Sequence, residues 1–387
     1  MGTPPLRRDH GASPNVTAAA RDSRAGRDRT IATEAEAVLV GRIARMPKAE
    51  LHLHLDGSLA VERALWLART RGVAAPSTAE GMAAVLVAPA IGTDQATLLR
   101  AFDLPIALLQ DAEALELVTA DLVAAKAADG VRYVEIRWGP LLHARRGLAL
   151  ADGIAAVCAG ADRGMAGAAT AGTPIEVRLI CTAIRSHEPD ANATLAETAA
   201  RFRDRGLTGW DLAGPEAAYP DPWLHARGFA AARAGGLRIT LHAGEWGGAA
   251  QVRRALAVDP ERIAHGPAAA DDPGLMAELI ARGVCLDLCP TSNLQAGIVA
   301  SLADHPLARL HRAGVPVTLS TDDLTVSDLV LSEEYRRAVR VLGLTLPELW
   351  AIDRRALEVA FADEPTLTRL RLEFDRWAAE AGLTGHG

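Results

Sequence analysis

Lys48–Gly57 reads KAELHLHLDG, and the question it poses decides the fold. Leu51, Leu53 and Leu55 alternate with His52 and His54. In a strand, side chains two apart point the same way, so the two imidazoles share one face and the leucines take the other. Two imidazoles on an apolar strand are costly to bury unless something binds them. A metal ion meets that need, and its other ligands must come from elsewhere in the chain.

Seven further strand candidates follow: VRYVEIRW, IEVRLICTAI, LTGWDLAG, LRITLHAG, RIAHG, VCLDLCP and VPVTLSTDD. Helical patterns such as DAEALELVTADLVAAKAADG and DPGLMAELIARG separate them, and several end in the glycine that favours a helix C-terminus. Eight β–α alternations point to the α/β class and a (β/α)8 TIM barrel. A doubly wound sheet would want a phosphate loop, and neither GxGxxG nor GxxxxGK[ST] occurs. Ala60–Ala128 forms a helical insertion after the first strand, placed either as a lid or in the outer ring. The segment from EEYRRAVRVLG onward reads as extra C-terminal helices. Residues 1–35 have too few large apolar side chains to offset ordering and read as a disordered tail. Residues 36–387 read as a single barrel domain.

The 387 residues are 49% hydrophobic and 23% charged, with a net charge of −7. That acidity disfavours nucleic acid as a partner. The 4% aromatic content disfavours single-strand binding as well. Cys158, Cys181, Cys285 and Cys289 form no CxxC pair and read as buried thiols. No run of about 18 apolar residues suggests a membrane span. No apolar signal core stands near the start, so a cytoplasmic protein is expected. Nothing in the sequence specifies an oligomeric state.

Most strand candidates are apolar until their last residues, and there the chemistry collects. The ends carry His52, His54 and Asp56; Asp211 and Gly214; His242 and Glu245; His265; and Asp322–Asp323. In a barrel these ends converge on one mouth. His52, His54, His242 and one of the two aspartates supply the nitrogen and oxygen donors of a catalytic zinc site, which keeps a position for water. Glu245, three residues past His242, suits a proton donor to substrate, and His265 suits a group that orients the attacking oxygen. By itself STDD also reads as a helix N-cap before LTVSDLVLSEEY. Beside the three histidines, the metal reading prevails for Asp322 and is less decided for Asp323. Ser292 and Asn293 in CPTSNLQ fit either a supporting role or turn chemistry.

The stretches MPKAELHLHLDGSL, ADGVRYVEIRW, DLAGPE, LHAGE, RIAHG, CPTSN and LSTDD occur in this order. Together they resemble the adenosine deaminases of the amidohydrolase superfamily, from Met46 to about Glu364. The resemblance implies a barrel with one zinc ion, other divalent metals being possible, that hydrolyses the 6-amino group of a purine nucleoside and releases ammonia. It implies His52, His54, His242 and Asp322 as metal ligands. Glu245 is implied as the acid that protonates ring N1, and His265 as the residue that orients and deprotonates the attacking water. Asp323 is implied as the partner of N7, Gly214 as the backbone donor to N3, and Asp56 as the contact to the ribose 5′-hydroxyl. HLDG, where adenine deaminases usually carry HLEG, favours a nucleoside over the free base.

Leu98 and Leu99 stand in the insertion where animal enzymes tend to have an aromatic. WGPLLHARRGL resembles a type found in bacterial relatives, some acting on 5′-modified adenosines. Expected substrates are therefore adenosine and 2′-deoxyadenosine, giving inosine. The alternatives are a 5′-modified adenosine of the aminodeoxyfutalosine or methylthioadenosine type, held beside Arg145 or Arg146, or adenine. A non-catalytic nucleoside-binding barrel would show a damaged metal or acid position, and none is damaged.

Overall fold

The computed structural model describes residues 37–92 and 94–383. The tail expected at 1–35 lies outside them. A helix covers 37–45. The unit that begins at Met46 is the barrel. Its strands are β1 (Lys48–His54), β2 (Val131–Trp138), β3 (Glu176–Ile184), β4 (Leu207–Ala213), β5 (Arg238–Ala243), β6 (Arg262–His265), β7 (Cys285–Leu288) and β8 (Val317–Leu319). They pair in parallel in the order β1 to β8. Beyond β8 the chain returns to β1: His54 N–H donates to Asp322 O at 2.7 Å and Asp322 N–H to His52 O at 3.1 Å. All eight expected runs are strands.

Helices separate the strands as the alternation requires. Ala112–Ala128 starts at Asp111, whose side chain accepts from Ala114 N–H, and Pro273–Arg282 starts at Asp272, which accepts from Leu275 N–H. Such caps satisfy backbone donors that the first turn leaves unpaired. Gly283 ends the second of these helices at φ 65°. No helix of the described residues is long and apolar enough to cross a membrane, and the four cysteines are free and buried.

The expected alternation in β1 is interrupted. Its register against β2 shifts between Glu50 and Leu53, and the N–H groups of both Leu51 and His52 reach Ser320 Oγ, at 3.4 and 3.2 Å. Leu51 joins Ala49, Tyr133, Leu357, Leu370 and Phe374 in one core cluster. This cluster ties the barrel to the C-terminal helices Leu346–Val359 and Glu364–Glu380. Ser320 is thus committed to β1, and the next α-helix starts only at Leu331, so STDD is not an N-cap.

The barrel interior is charged. Buried Arg262 binds Glu135 and also Asp287, the latter through Nε at 3.0 Å. Arg137 lies 3.5 Å from Asp211 and 3.8 Å from Asp287 and donates to Leu51 O at 2.8 Å. Removing one partner from such a buried set leaves a charge with no counterpart.

Candidate active site

His52 and His54 end β1, His242 lies near the end of β5, His265 ends β6, and Asp322 follows β8. The fold brings them together at one mouth. His52 Nε2 is 3.3 Å from His54 Nε2, which is 3.2 Å from His242 Nε2. Asp322 Oδ1 is 3.0 Å from His52 Nε2 and 3.4 Å from His54 Nε2. Donors bound at about 2.0–2.2 Å to one ion stand about 3.0–3.6 Å apart, so these spacings fit a shared cation. His52, His242, His265 and Asp322 also offer donor atoms all within 4.8 Å of one another. Donor distances therefore admit either His54 or His265 as the third imidazole. His242 is oriented as a ligand: its Nδ1–H donates to Asp211 Oδ1 at 3.1 Å, which leaves Nε2 with its lone pair toward the cluster.

Two of these residues hold left-handed backbone, His265 at φ 67° and Asp322 at φ 69°. That conformation is uncommon for residues with a Cβ and persists where the surroundings enforce it. At Asp322 the enforcing contacts are the bonds to β1 already described and Ser292 Oγ–H, which donates to Oδ2 at 2.6 Å.

Burial shapes the ionisation of the site. It pushes His54 down to about 4 and His265 down to about 3, and holds His52 well below its usual value. Glu245 is pushed well above the carboxylate range, by burial first and then by Asp322 and Glu216. Asp323 is raised as well, by burial and then by Asp322, Asp56 and Glu245. Asp322 goes the other way: burial opposes its charge, but the adjacent His52, His265 and His54 hold it low. The mouth thus presents two neutral carboxylic acids, Glu245 and Asp323, beside two carboxylates, Asp322 and Asp56.

The cavity around these groups measures about 210 Å³. His54, Asp56, Leu98, Leu99, Gly214, His242, Glu245, His265, Asp322 and Asp323 all line it. The insertion supplies Leu98 and Leu99 together with Phe102 and Ile106, so it covers the mouth. None of the described lining residues is Lys or Arg. Arg145 and Arg146, expected beside the 5′ side, are exposed and do not line it.

Several residues went unassigned in the sequence. Glu216 of DLAGPE accepts from Gly244 N–H (2.8 Å) through one oxygen, and from Trp246 N–H (2.9 Å) and Gly247 N–H (3.0 Å) through the other. It clamps the turn that carries Glu245. His143 binds Leu109 O through Nδ1 at 3.1 Å and faces Asp56 Oδ2 from Nε2 at 3.6 Å. Burial opposes the Asp56 charge, and His143 overcomes it to hold the carboxyl low. Gly57 explains the glycine of HLDG, since a Cβ there would fall 1.6 Å from Asp323 Oδ1 and 2.9 Å from the Phe102 ring. Trp246, Leu142 and Ile184 also line the cavity, and nothing in the sequence distinguished them from core residues.

The profile of the adenosine deaminase family matches residues 47–377. An adenosine deaminase of Enterococcus faecalis is 34% identical over 86% of this chain and 97% of its own length. An aminodeoxyfutalosine deaminase of Acidothermus cellulolyticus is 38% identical over 76% of this chain and 83% of its own length. Among solved structures, an adenine deaminase of Arthrobacter aurescens superimposes with a TM-score of 0.78 at 28% identity, covering 86% of this chain and 99% of that one. The chain belongs to the adenosine deaminase family and is a hydrolase that deaminates adenosine-type substrates.

Proposed function

We propose that the chain carries out zinc-dependent deamination of adenosine and 2′-deoxyadenosine to inosine and ammonia. The observation that carries this reading is Glu245, a largely enclosed acid on a cavity wall without Lys or Arg, 3.7 Å from His265 Nε2 and beside a histidine–aspartate cluster of ion-binding size. His52, His54, His242 and Asp322 would hold the ion. Such an ion acidifies a water toward neutrality and so supplies the nucleophile.

The chain's own groups do the rest. Protonated Glu245 hands its proton to ring N1 as the water oxygen bonds to C6, which moves the C6–N1 electron pair onto N1. General-acid assistance of this kind contributes about 10²–10⁴-fold. His265 orients the attacking oxygen. Neutral Asp323 donates to N7, where an ionised carboxylate would be repelled by the lone pair. Gly214 donates its N–H to N3. Leu98, Leu99 and Phe102 cover the ring and exclude water.

Asp56 takes the 5′-hydroxyl as acceptor. A carboxylate held low, in a lining without Lys or Arg, selects a neutral 5′ end over a phosphate. A second reading is a 5′-substituted adenosine of the aminodeoxyfutalosine or methylthioadenosine type. The apolar Ile106 and Leu142 in the cavity lining and the similarity to an aminodeoxyfutalosine deaminase favour it. The test is ammonia release from adenosine, 2′-deoxyadenosine, adenine, AMP and two 5′-substituted adenosines. Adenosine turned over fastest upholds the first reading, and a 5′-substituted compound the second. AMP or adenine turned over fastest overturns the role given to Asp56.

A further inference from the structure

Two of the site histidines are wired in opposite senses. The chain of bonds behind His265 starts at a backbone amide. Leu307 N–H donates to His305 Nδ1 at 3.3 Å, so that nitrogen bears no hydrogen. Burial pushes His305 down to about 3, so the ring is neutral and its hydrogen sits on Nε2. His305 Nε2–H then donates to Asn293 Oδ1 at 3.1 Å. This sets the direction of the Asn293 amide, whose Nδ2–H donates to His265 Nδ1 at 3.2 Å. His265 Nδ1 is therefore an acceptor, and the hydrogen of that neutral ring is on Nε2. Turning the Asn293 amide over would set two N–H groups against each other at His305, with both residues fully enclosed. An unmade bond between buried polar groups is the expensive outcome.

The Nε2 of His265 points into the site, 3.7 Å from Glu245 Oε1 and 3.9 Å from Asp322 Oδ2. A nitrogen that carries hydrogen cannot bind a metal ion, nor can it take a proton. We propose that Asn293 and His305 are positioning residues that fix His265 as its Nε2–H tautomer, so that His265 acts as a hydrogen-bond donor to the attacking oxygen and is neither a metal ligand nor the base. This separates the two imidazoles that distance alone leaves equivalent: His54 joins the ligand set and His265 stays out. It also changes the role that resemblance implies for His265, from deprotonating the water to holding it. Glu245, a carboxylate once it has protonated N1, is then the group that accepts the proton of the added oxygen and hands it to the 6-amino nitrogen, so that the C6–N6 bond breaks and ammonia leaves. The consequence for the reaction rests on the proposed deaminase site, and the tautomer rests only on the hydrogen-bond chain.

The test is long-range proton–nitrogen NMR on the full zinc-loaded chain with nitrogen-15 histidine, His265 being assigned by the signal lost in His265→Gln. The wild type is expected to show hydrogen on His265 Nε2 and on His242 Nδ1. Asn293→Asp offers a second acceptor, so His265 should switch to Nδ1–H. Its kcat should then fall about 10²-fold, the scale for losing one donor to a developing negative oxygen, with KM changed less than about 3-fold. His305→Gln places an N–H where Nε2–H stands and should keep the tautomer and kcat, whereas His305→Leu should lose both. That pair carries the test if Asn293→Asp does not fold. Hydrogen on His265 Nδ1 in the wild type, an unchanged tautomer in Asn293→Asp, or equal behaviour of His305→Gln and His305→Leu overturns the proposal. A chain with the expected tautomers that deaminates nothing overturns the proposed function and upholds the hydrogen-bond chain. An active chain with His265 Nδ1–H does the reverse.

Discussion

Two layers of buried charge adjoin inside the barrel, and they are built on opposite plans. In the interior layer, the carboxylates of Glu135, Asp211 and Asp287 each meet Arg137 or Arg262 within 4.0 Å. In the mouth layer, Asp56, Glu245, Asp322 and Asp323 line a cavity whose described residues include no Lys or Arg. Buried carboxylates without a cation either keep their protons or require positive charge from outside the chain. Glu245 and Asp323 take the first course, Asp322, at the donors of His52 and His54, is set for the second, and Asp56 keeps its charge beside His143 within the chain. The difference separates charge that holds the barrel together from charge that does chemistry.

The two layers differ most at Glu245. Glu245→Gln keeps the shape but cannot cycle a proton, so kcat should fall about 10²–10⁴-fold. Metal content, read by elemental analysis, should not change. Equal activity of the variant would remove Glu245 from the chemistry and return the mouth to a structural role. The interior layer should behave in the converse way. Arg262→Met leaves Glu135 and Asp287 buried with less compensation, so stability should drop by about 3–5 kcal/mol by denaturant titration. A variant as stable as the wild type would show that the interior charges are not a structural set.

A buried acid away from the mouth should obey the same rule. Asp353 Oδ1 accepts from Ala49 N–H at 2.9 Å and from Tyr335 O–H at 2.6 Å, and burial raises the carboxyl to about 7. Its folded value lies above the unfolded one, so the native state keeps a proton that the unfolded chain has lost. The stabilisation is complete below about pH 4 and is lost as pH rises through about 7. Asp353→Asn keeps the accepting oxygen and does not titrate. Relative to this variant, the wild type should lose stability on the order of 3 kcal/mol between pH 4.5 and 7.5. A difference that does not vary with pH would mean that Asp353 is already ionised at pH 4.5.

Much of the mouth was legible in the sequence because a barrel gathers strand ends, and each end marks itself where an apolar run turns polar. His52, His54, His242, His265, Asp322 and Glu245 were all found in that way. The interior layer was not, because Glu135 and Arg137 within VRYVEIRW look like the solvent-facing charges of any strand. Their partners are fixed by closure of the barrel, with Arg262 lying 127 positions from Glu135. Glu216 belongs to DLAGPE, but its partners are backbone N–H groups of another loop, and those have no signature. His143 and His305 were hidden for a related reason: a lone histidine acquires meaning only from the atoms on either side of its ring. The interruption in β1 was equally invisible, since Ser320, the hydroxyl that accommodates it, lies 269 positions from Leu51.

Asp211 belongs to both layers, and its loss is expected to cost the least. One oxygen holds His242 Nδ1–H, and the other accepts from Thr182 Oγ–H at 3.1 Å and faces Arg137 Nη1 at 3.5 Å. Burial opposes its charge, and His242 and Arg137 overcome that to keep it ionised. Asp211→Asn retains an oxygen for the His242 N–H, so the imidazole keeps its tautomer while losing the negative charge that makes Nε2 a better donor. If Asp211 serves chiefly the mouth, metal affinity should fall about 10–100-fold in competition with a chelator, the usual effect of losing a carboxylate behind a ligating histidine. The melting temperature of the metal-free chain should then move little, because Arg137 keeps Asp287 and Leu51 O. If Asp211 serves chiefly the interior, the metal-free chain should lose stability and the affinity should hold. The geometry favours the first outcome: the 3.1 Å bond from the His242 ring to this carboxylate is a charge-assisted hydrogen bond, whereas the 3.5 Å approach of Arg137 is longer than such bonds usually are.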